Sequence, residues 1–305
     1  MMATRSLLLV CLLSSLLSCL SQKSQTNRQV LLQGFWWDYY NNDFNNNWSN
    51  YLVKLAPRLK DIGLDAIYIP PSVKNKASFD MGYAPFDHYD LGDKYQKGFV
   101  GTKFGDKDEL LRMVAVFKAN GIDVIQDIVL NHITGAGSVT GNGGRDPAAL
   151  DDGSTDKFKN FRYVSFNTPA LNSTAGNYTS RQGRFYKNWQ NFYPNNGFNC
   201  CTDEINTPYW GPDISFESSS FGQSSNCNYN PVQSQSYMRE GMRNWLMWYK
   251  KQVGWEGVRI DAIKHFPAYV VEDFLWNLQY GNGWANGTDN MFAVGEWVGG
   301  ASALD

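Results

Sequence analysis

Five short apolar runs punctuate this chain: Val30–Trp37, Leu64–Ile69, Ile122–Ile128, the Val258–Ile260 core of Gly254–His265, and Met291–Val298. Each reads as a strand, the first as an apolar, buried-type one. Helical stretches lie between them. One begins at Ser49, is expected to kink or restart at Pro57 and ends at Gly63. Asp106–Ala119 puts Leu110, Val114 and Phe117 on one face, and Asn120-Gly121 closes it. Ser234–Gln252 carries Met238, Met242, Trp245, Leu246 and Trp248, and a last helix runs near Pro267–Leu278. Apolar strands alternating with helices imply a parallel sheet covered on both faces. A closed eight-stranded barrel needs three strands more. The expected class is therefore α/β, the first five strands of a partial (β/α)8 barrel.

The rhythm breaks after the third strand. Residues 133–233 are rich in Gly, Asn, Ser and Thr and too long for a connector, which predicts an inserted loop-rich domain. Residues 21–132 would form the first part of the sheet domain and 234–305 its resumption. Residues 1–20 open with Met-Met-Ala-Thr-Arg and continue as the apolar run Leu7–Leu20. That pattern is a secretory signal, too short for a comfortable membrane span. An alternative for Leu16-Leu-Ser-Cys19 is lipid attachment at Cys19. No other stretch is long and apolar enough to span a membrane. Export suits Cys200, Cys201 and Cys227, where a disulfide from Cys227 to either of the others is plausible and the choice stays open. No histidine nearby suggests zinc. Asn172, Asn177 and Asn286 head glycosylation sequons. A net charge of −2 without a basic run argues against nucleic acid as a partner, and a monomer is expected.

The chemistry gathers at strand ends. In Gly254–His265, Arg259 and Asp261 alternate with Val258 and Ile260, so both charged side chains face the same way. The guanidinium can orient the carboxylate and hold it ionised, although structural Arg–Asp pairs are common too. The third strand runs from Asp127 towards Asn131-His132, and the fifth ends in Glu296-Trp297. In a parallel α/β sheet the C-terminal rim is the functional one. Two carboxylates there, one ionised and one protonated, are the apparatus of glycoside hydrolysis. Arg259 favours Asp261 as the ionised partner. Glu296 has no adjacent cation in sequence, which favours it as the acid. Of the three histidines, His88, His132 and His265, two sit in this group. Asn131, a loop Asp and a backbone carbonyl would suit calcium, which takes hard oxygen ligands. The abundant Trp and Tyr mostly fill core, but in Gly/Asn-rich loops they suit the apolar faces of sugars.

Three segments, Asp127-Ile-Val-Leu-Asn-His, Gly257-Val-Arg-Ile-Asp-Ala-Ile-Lys-His and Gly295-Glu-Trp, resemble signature regions of the α-amylase family of retaining glycosidases, in that family's order. Gln33-Gly-Phe-Trp-Trp and Ile69-Pro-Pro-Ser resemble its first two barrel strands, and Pro212-Asp213-Ile-Ser a motif within its insert. The resemblance implies Asp261 as nucleophile, Glu296 as acid and then base, and Arg259 as the holder of Asp261. It implies Tyr83 stacking on the sugar at the cleavage point, His132 hydrogen-bonding that sugar, and Lys264 and His265 on the leaving-group side. It implies a structural Ca2+ on Asn131, Asp213 and the His265 carbonyl, with Asp203 or Glu204 as a further ligand. The Asp90-Leu-Gly and Gln96-Lys-Gly runs are similar to amylases acting on starch or glycogen, so an α-glucan polysaccharide is the expected substrate. The family's later His-Asp signature does not occur before Asp305, which reads as a member cut short before its last barrel strands. A non-catalytic α-glucan-binding fragment, or a transglycosylase or debranching activity, are the alternatives.

Overall fold

The computed structural model describes residues 29–95, 98–133, 138–139, 145–146, 192–193, 213–214, 216, 237–265, 267–281 and 291–299. Two compact units separate, Met1–Val30 and Leu31–Asp305, and the fold below is that of the second. Residues 1–28, where the export signal is expected, the three later cysteines, the sequons, Asp203, Glu204 and most of 133–233 lie outside the described residues.

The chain forms β1 (Leu31–Gln33), α1 (Trp48–Asp61), β2 (Ala66–Ile69), β3 (Lys74–Asn75), β4 (Pro85–Asp87), α2 (Lys107–Ala119) and β5 (Asp123–Ile128). The short strands β6 (Ser138–Val139), β7 (Arg145–Asp146), β8 (Phe192–Tyr193) and β9 (Asp213–Ile214) follow. Then come α3 (Tyr237–Val253), β10 (Gly257–Ile260), α4 (Ala268–Trp276) and β11 (Phe292–Gly295). One parallel sheet has the order β1-β2-β5-β10-β11. Spatial order follows chain order, as uncrossed β-α-β connections require.

Strand alternation divides the sheet's faces. Ile67, Ile69, Val124, Ile128, Val258 and Ile260 bury against the helices, where Leu52, Phe117, Met242, Trp245 and Phe274 meet them. The intervening positions Tyr68, Asp127 and Arg259 are left for the other face. The first run departs from expectation. Only Leu31–Gln33 forms a strand, at the sheet edge with β2 alone beside it, and its residues are exposed, as are those of β11 at the other edge. An edge strand has a neighbour on one side only, so apolar composition does not bury it.

Helix ends follow local chemistry. Asp106 and Glu109 form a reciprocal capping box at α2. Gly63, at φ +91°, turns the chain out of α1. α1 runs unbroken through Pro57, contrary to the expected restart. Pro57 lies on the exposed side, where water can satisfy the freed carbonyl. The segment after β2 contains an antiparallel pair, β3 with β4, that its composition did not announce. Buried Lys74 anchors it, donating to the carbonyls of Lys94 and Phe99 at 2.9 and 3.1 Å and pairing with Asp90 at 3.4 Å.

Candidate active site

Arg259 projects from the centre of β10 and gathers three carboxylates. Its Nη1 lies 2.8 and 2.9 Å from the two oxygens of Asp127 and 2.8 Å from Oδ1 of Asp261. Its Nη2 lies 2.8 Å from Oε2 of Glu296. Asp127 is the register partner of Arg259 on β5. Asp261 follows the last residue of β10, its N–H donating to the Ile128 carbonyl at 3.0 Å. Glu296 follows β11 in the same way, its N–H donating to Ile260 at 2.9 Å. The ladder thus continues one residue beyond each strand and delivers both carboxylates to one rim. Asp261 and Glu296 are held within the span of one guanidinium, which hydrogen-bonds the first and ion-pairs with the second.

One cation serves three anions here, and burial is the larger influence. It pushes the Asp127 carboxyl up to about 6, against the opposing charge of Arg259. Burial, followed by the charge of Asp127, pushes Asp261 up to about 7, again against Arg259. Burial works against the Arg259 charge, but Asp127 and Asp261 outweigh it and raise its pKa. The structure therefore corrects two expectations. Arg259 orients Asp261 and favours its ionised form, but burial and then the Asp127 charge outweigh it and lift the carboxyl above the ordinary range. Glu296 does have a cation beside it, supplied from the neighbouring strand rather than from its own sequence.

Tyr83 enters from the loop between β3 and β4. Its hydroxyl donates to Asp127 at 2.6 Å, and burial, then the Asp127 charge, raise its pKa. Gly82 before it has φ +110°, and a Cβ there would meet the Pro71 carbonyl at 2.4 Å, so only glycine lets this turn close. Trp37 stacks on Tyr83 with centroids 6.0 Å apart and 21° between planes, yet is 71% exposed. His132 is buried, with Nε2 2.9 Å from the Tyr83 carbonyl and Nδ1 3.4 Å from Asn131 Nδ2. A carbonyl accepts, so Nε2 carries the proton and Nδ1 is the acceptor. The ring faces the Tyr83 loop, and both of its nitrogens are engaged by protein.

Lys264 and His265 sit in a short 3-10 turn, Ile263–His265. The Lys264 ammonium donates to the Val298 carbonyl, and His265 is buried. Asn131 is buried at the end of the β5 segment, and its carbonyl accepts from the Ile214 N–H at 2.7 Å. That bond brings the backbone at residue 213 beside Asn131. Among the described residues, no group of three or more His, Cys, Asp or Glu could hold a metal. An amide, a carboxylate and a backbone carbonyl are nonetheless the oxygen donors that calcium accepts, three of the ~6–8 it takes. No described helix is long and apolar enough to cross a membrane.

Two members of the site went unnoticed in the sequence. Asp127 stands inside a quoted motif, but its ionic partner is 132 residues away. Trp37 looked like part of a buried strand. The signal for Asp127 was its phase: it alternates with Gln126 and Ile128 as Arg259 alternates with Val258 and Ile260.

A family model described as alpha amylase, catalytic domain, matches residues 53–287. A glucan 1,4-alpha-maltohexaosidase of Bacillus sp. (strain 707) is 30% identical over 285 residues, covering 90% of this chain and 52% of that protein. An alpha-amylase of Bacillus licheniformis is 26% identical over 283 residues, covering 90% and 52%. The chain spans about half the length of the curated relatives it matches. Among solved structures, a cyclomaltodextrin glucanotransferase with a three-domain ABC distribution aligns with a TM-score of 0.51 at 20% identity, covering 88% of this chain and 50% of that one. At that identity the likeness bears on the fold, and the five-stranded parallel sheet is a partial (β/α)8 barrel. With most of its length matched by that family model, the chain belongs to the alpha-amylase catalytic-domain family of glycoside hydrolases.

Proposed function

We propose that this protein cleaves internal α-1,4 bonds of starch- or glycogen-type glucans by retaining double displacement. The observation that carries the reading is the single guanidinium of Arg259 bridging Asp261 and Glu296. Asp261 attacks the anomeric carbon while Glu296 gives a proton to the departing glycosidic oxygen, leaving a covalent glycosyl-enzyme. Glu296, now a carboxylate, takes a proton from water, whose oxygen displaces Asp261 and restores both groups. Two inversions return the original anomeric configuration.

Tyr83 and Trp37 offer an apolar ring surface beside these carboxylates, suited to a pyranose face. His132 supports the Tyr83 loop through its carbonyl. Lys264 and His265 are proposed contacts on the leaving-group side. Asn131, Asp213 and the His265 carbonyl are proposed oxygen donors to Ca2+, which when bound would cross-link the segment at 213 to the rim. The printed names of the relatives, an alpha-amylase and a maltohexaosidase, support a glucan substrate. Residues 1–20 are proposed to direct export. Release of reducing ends from soluble starch tests the reading. It is expected from the unmodified protein and lost by ~10³-fold or more in Asp261→Asn. Binding of starch without turnover by the unmodified protein would instead favour a non-catalytic glucan-binding role.

A further inference from the structure

We propose that the backbone N–H of Ala262 selects which oxygen of Glu296 carries the transferable proton. The inference rests on the glycosidase reading above and adds a positioning residue to it. Ala262 has φ +49°, in the left-handed region that a residue with a Cβ occupies at a cost of ~1–2 kcal/mol. Such a conformation persists only where its surroundings impose it. Two contacts impose it here. The Ile263 N–H donates to the Glu296 carbonyl at 3.1 Å. The Ile263 side chain packs onto Gly295, where an added Cβ would come within 2.4 Å of Cδ1. The turn after Asp261 is thereby clasped to the strand end that bears Glu296.

The result is that the Ala262 N–H donates to Oε2 of Glu296 at 3.2 Å, the same oxygen that lies 2.8 Å from Arg259 Nη2. The Ala262 N–H donor and the adjacent Arg259 charge both favour negative charge on Oε2. A proton placed on that oxygen would have to displace them. Among the described residues no hydrogen bond to Oε1 is formed, and the Glu296 side chain is 39% exposed. The acidic proton therefore resides on Oε1. In the first step it passes from Oε1 to the glycosidic oxygen as the bond from that oxygen to the anomeric carbon breaks. An Asp261 oxygen forms the new bond to that carbon. The leaving glucan departs as an alcohol and Glu296 remains as a carboxylate, its Oε2 still held.

The test removes the N–H alone. Replacement of Ala262 by lactic acid turns its amide into an ester and keeps the methyl group and carbonyl. Rates are compared on a linear α-glucan, whose leaving group needs protonation, and on α-maltosyl fluoride, whose leaving group does not. The expected result is a loss of at least ~10-fold on the glucan with a change under ~2-fold on the fluoride. Ala262→Gly, which keeps the N–H and suits the φ, should leave both rates within ~2-fold. Equal losses on the two substrates, no loss, or a glucan-selective loss in Ala262→Gly would overturn the inference while leaving the hydrolase reading intact. An unmodified protein that cleaves neither substrate would overturn both. If the ester variant fails to fold, a crystal structure of Glu296→Gln decides. Its amide oxygen should face Ala262 and Arg259 with its nitrogen at the Oε1 position, and the reverse placement would refute the assignment.

Discussion

Arg259 and Asp127 stand opposite one another on adjacent parallel strands, and Nη1 of the first contacts both carboxylate oxygens of the second, at 2.8 and 2.9 Å. Asp127 thus competes with Asp261 for a shared cation. After burial, the Asp127 charge is the largest influence raising Asp261 to about 7. Asp127→Asn keeps the shape and removes that charge. The Asp261 carboxyl should then titrate below pH 7, followed by carboxyl carbon NMR of labelled aspartate. An unchanged or higher value would mean that burial alone, not the Asp127 charge, raises Asp261.

The same pair sets a stability profile. Asp127 rises from 3.8 to about 6 and Asp261 from 3.8 to about 7 on folding. A raised carboxyl binds its proton more tightly in the folded state. Its stabilising contribution is complete below about pH 4 and is lost as pH climbs through the folded values. Stability should therefore fall between about pH 4 and about pH 7, by on the order of 1–3 kcal/mol. Two other groups act outside that window. Asp93, whose pKa is lowered, weakens the fold only below it. Lys250, pushed by burial from 10.5 to about 7, adds stability only as pH rises above it. Urea unfolding at intervals across the window checks the slope, which should flatten in Asp261→Asn. A profile that rises from pH 4 to 7 would contradict these carboxyl assignments.

Residues legible in the sequence were those whose neighbours in the chain explain them. Asp261 and Arg259 share one strand, and Glu296 ends another, so alternation and strand order sufficed to bring them to one rim. What escaped depended on register between distant strands. The pairing of Asp127 with Arg259 follows from alignment of β5 with β10, and nothing local encodes that alignment. The cation beside Glu296 is hidden in the same way, because it arrives from β10. Trp37 was lost for a different reason. Its run is mostly apolar, and composition alone does not reveal that the strand ends at Gln33, with a last bond from Gly34, and leaves the ring facing solvent.

That exposed ring has a consequence for substrate affinity. Trp37 is fixed by stacking on Tyr83, which is itself tied to Asp127, so its face is presented with little freedom left to lose. A preorganised aromatic surface worth about 1 kcal/mol corresponds to about fivefold in affinity. Trp37→Ala should raise KM for a linear maltooligosaccharide by about that factor with kcat nearly unchanged. Tyr83→Phe should keep the stack and lose the hydrogen bond to Asp127, so its effect should fall on kcat. If both variants alter KM alone, the Tyr83 hydroxyl has no part in ordering the carboxylates.

Calcium dependence turns on one backbone contact. The Ile214 N–H donates to the Asn131 carbonyl at 2.7 Å, so a backbone hydrogen bond joins the strand at Asp213 to the rim. An ion bound through Asn131, Asp213 and the His265 carbonyl would reinforce a junction that exists rather than create it. Its effect should then be a graded stabilisation, not a switch between folded and unfolded chains. Saturation at ~100 times the dissociation constant adds about 2.7 kcal/mol, which in a chain of this size is a rise in Tm of about 4–8 °C. Thermal melts in chelator and in millimolar Ca2+ measure it, with Mg2+ as the comparison, since Mg2+ parts with its water reluctantly. Asp213→Asn should shrink the Ca2+ increment and leave the melt in chelator nearly where it was. A Tm indifferent to Ca2+, or an equal increment in Asp213→Asn, would remove these residues from the list of ligands.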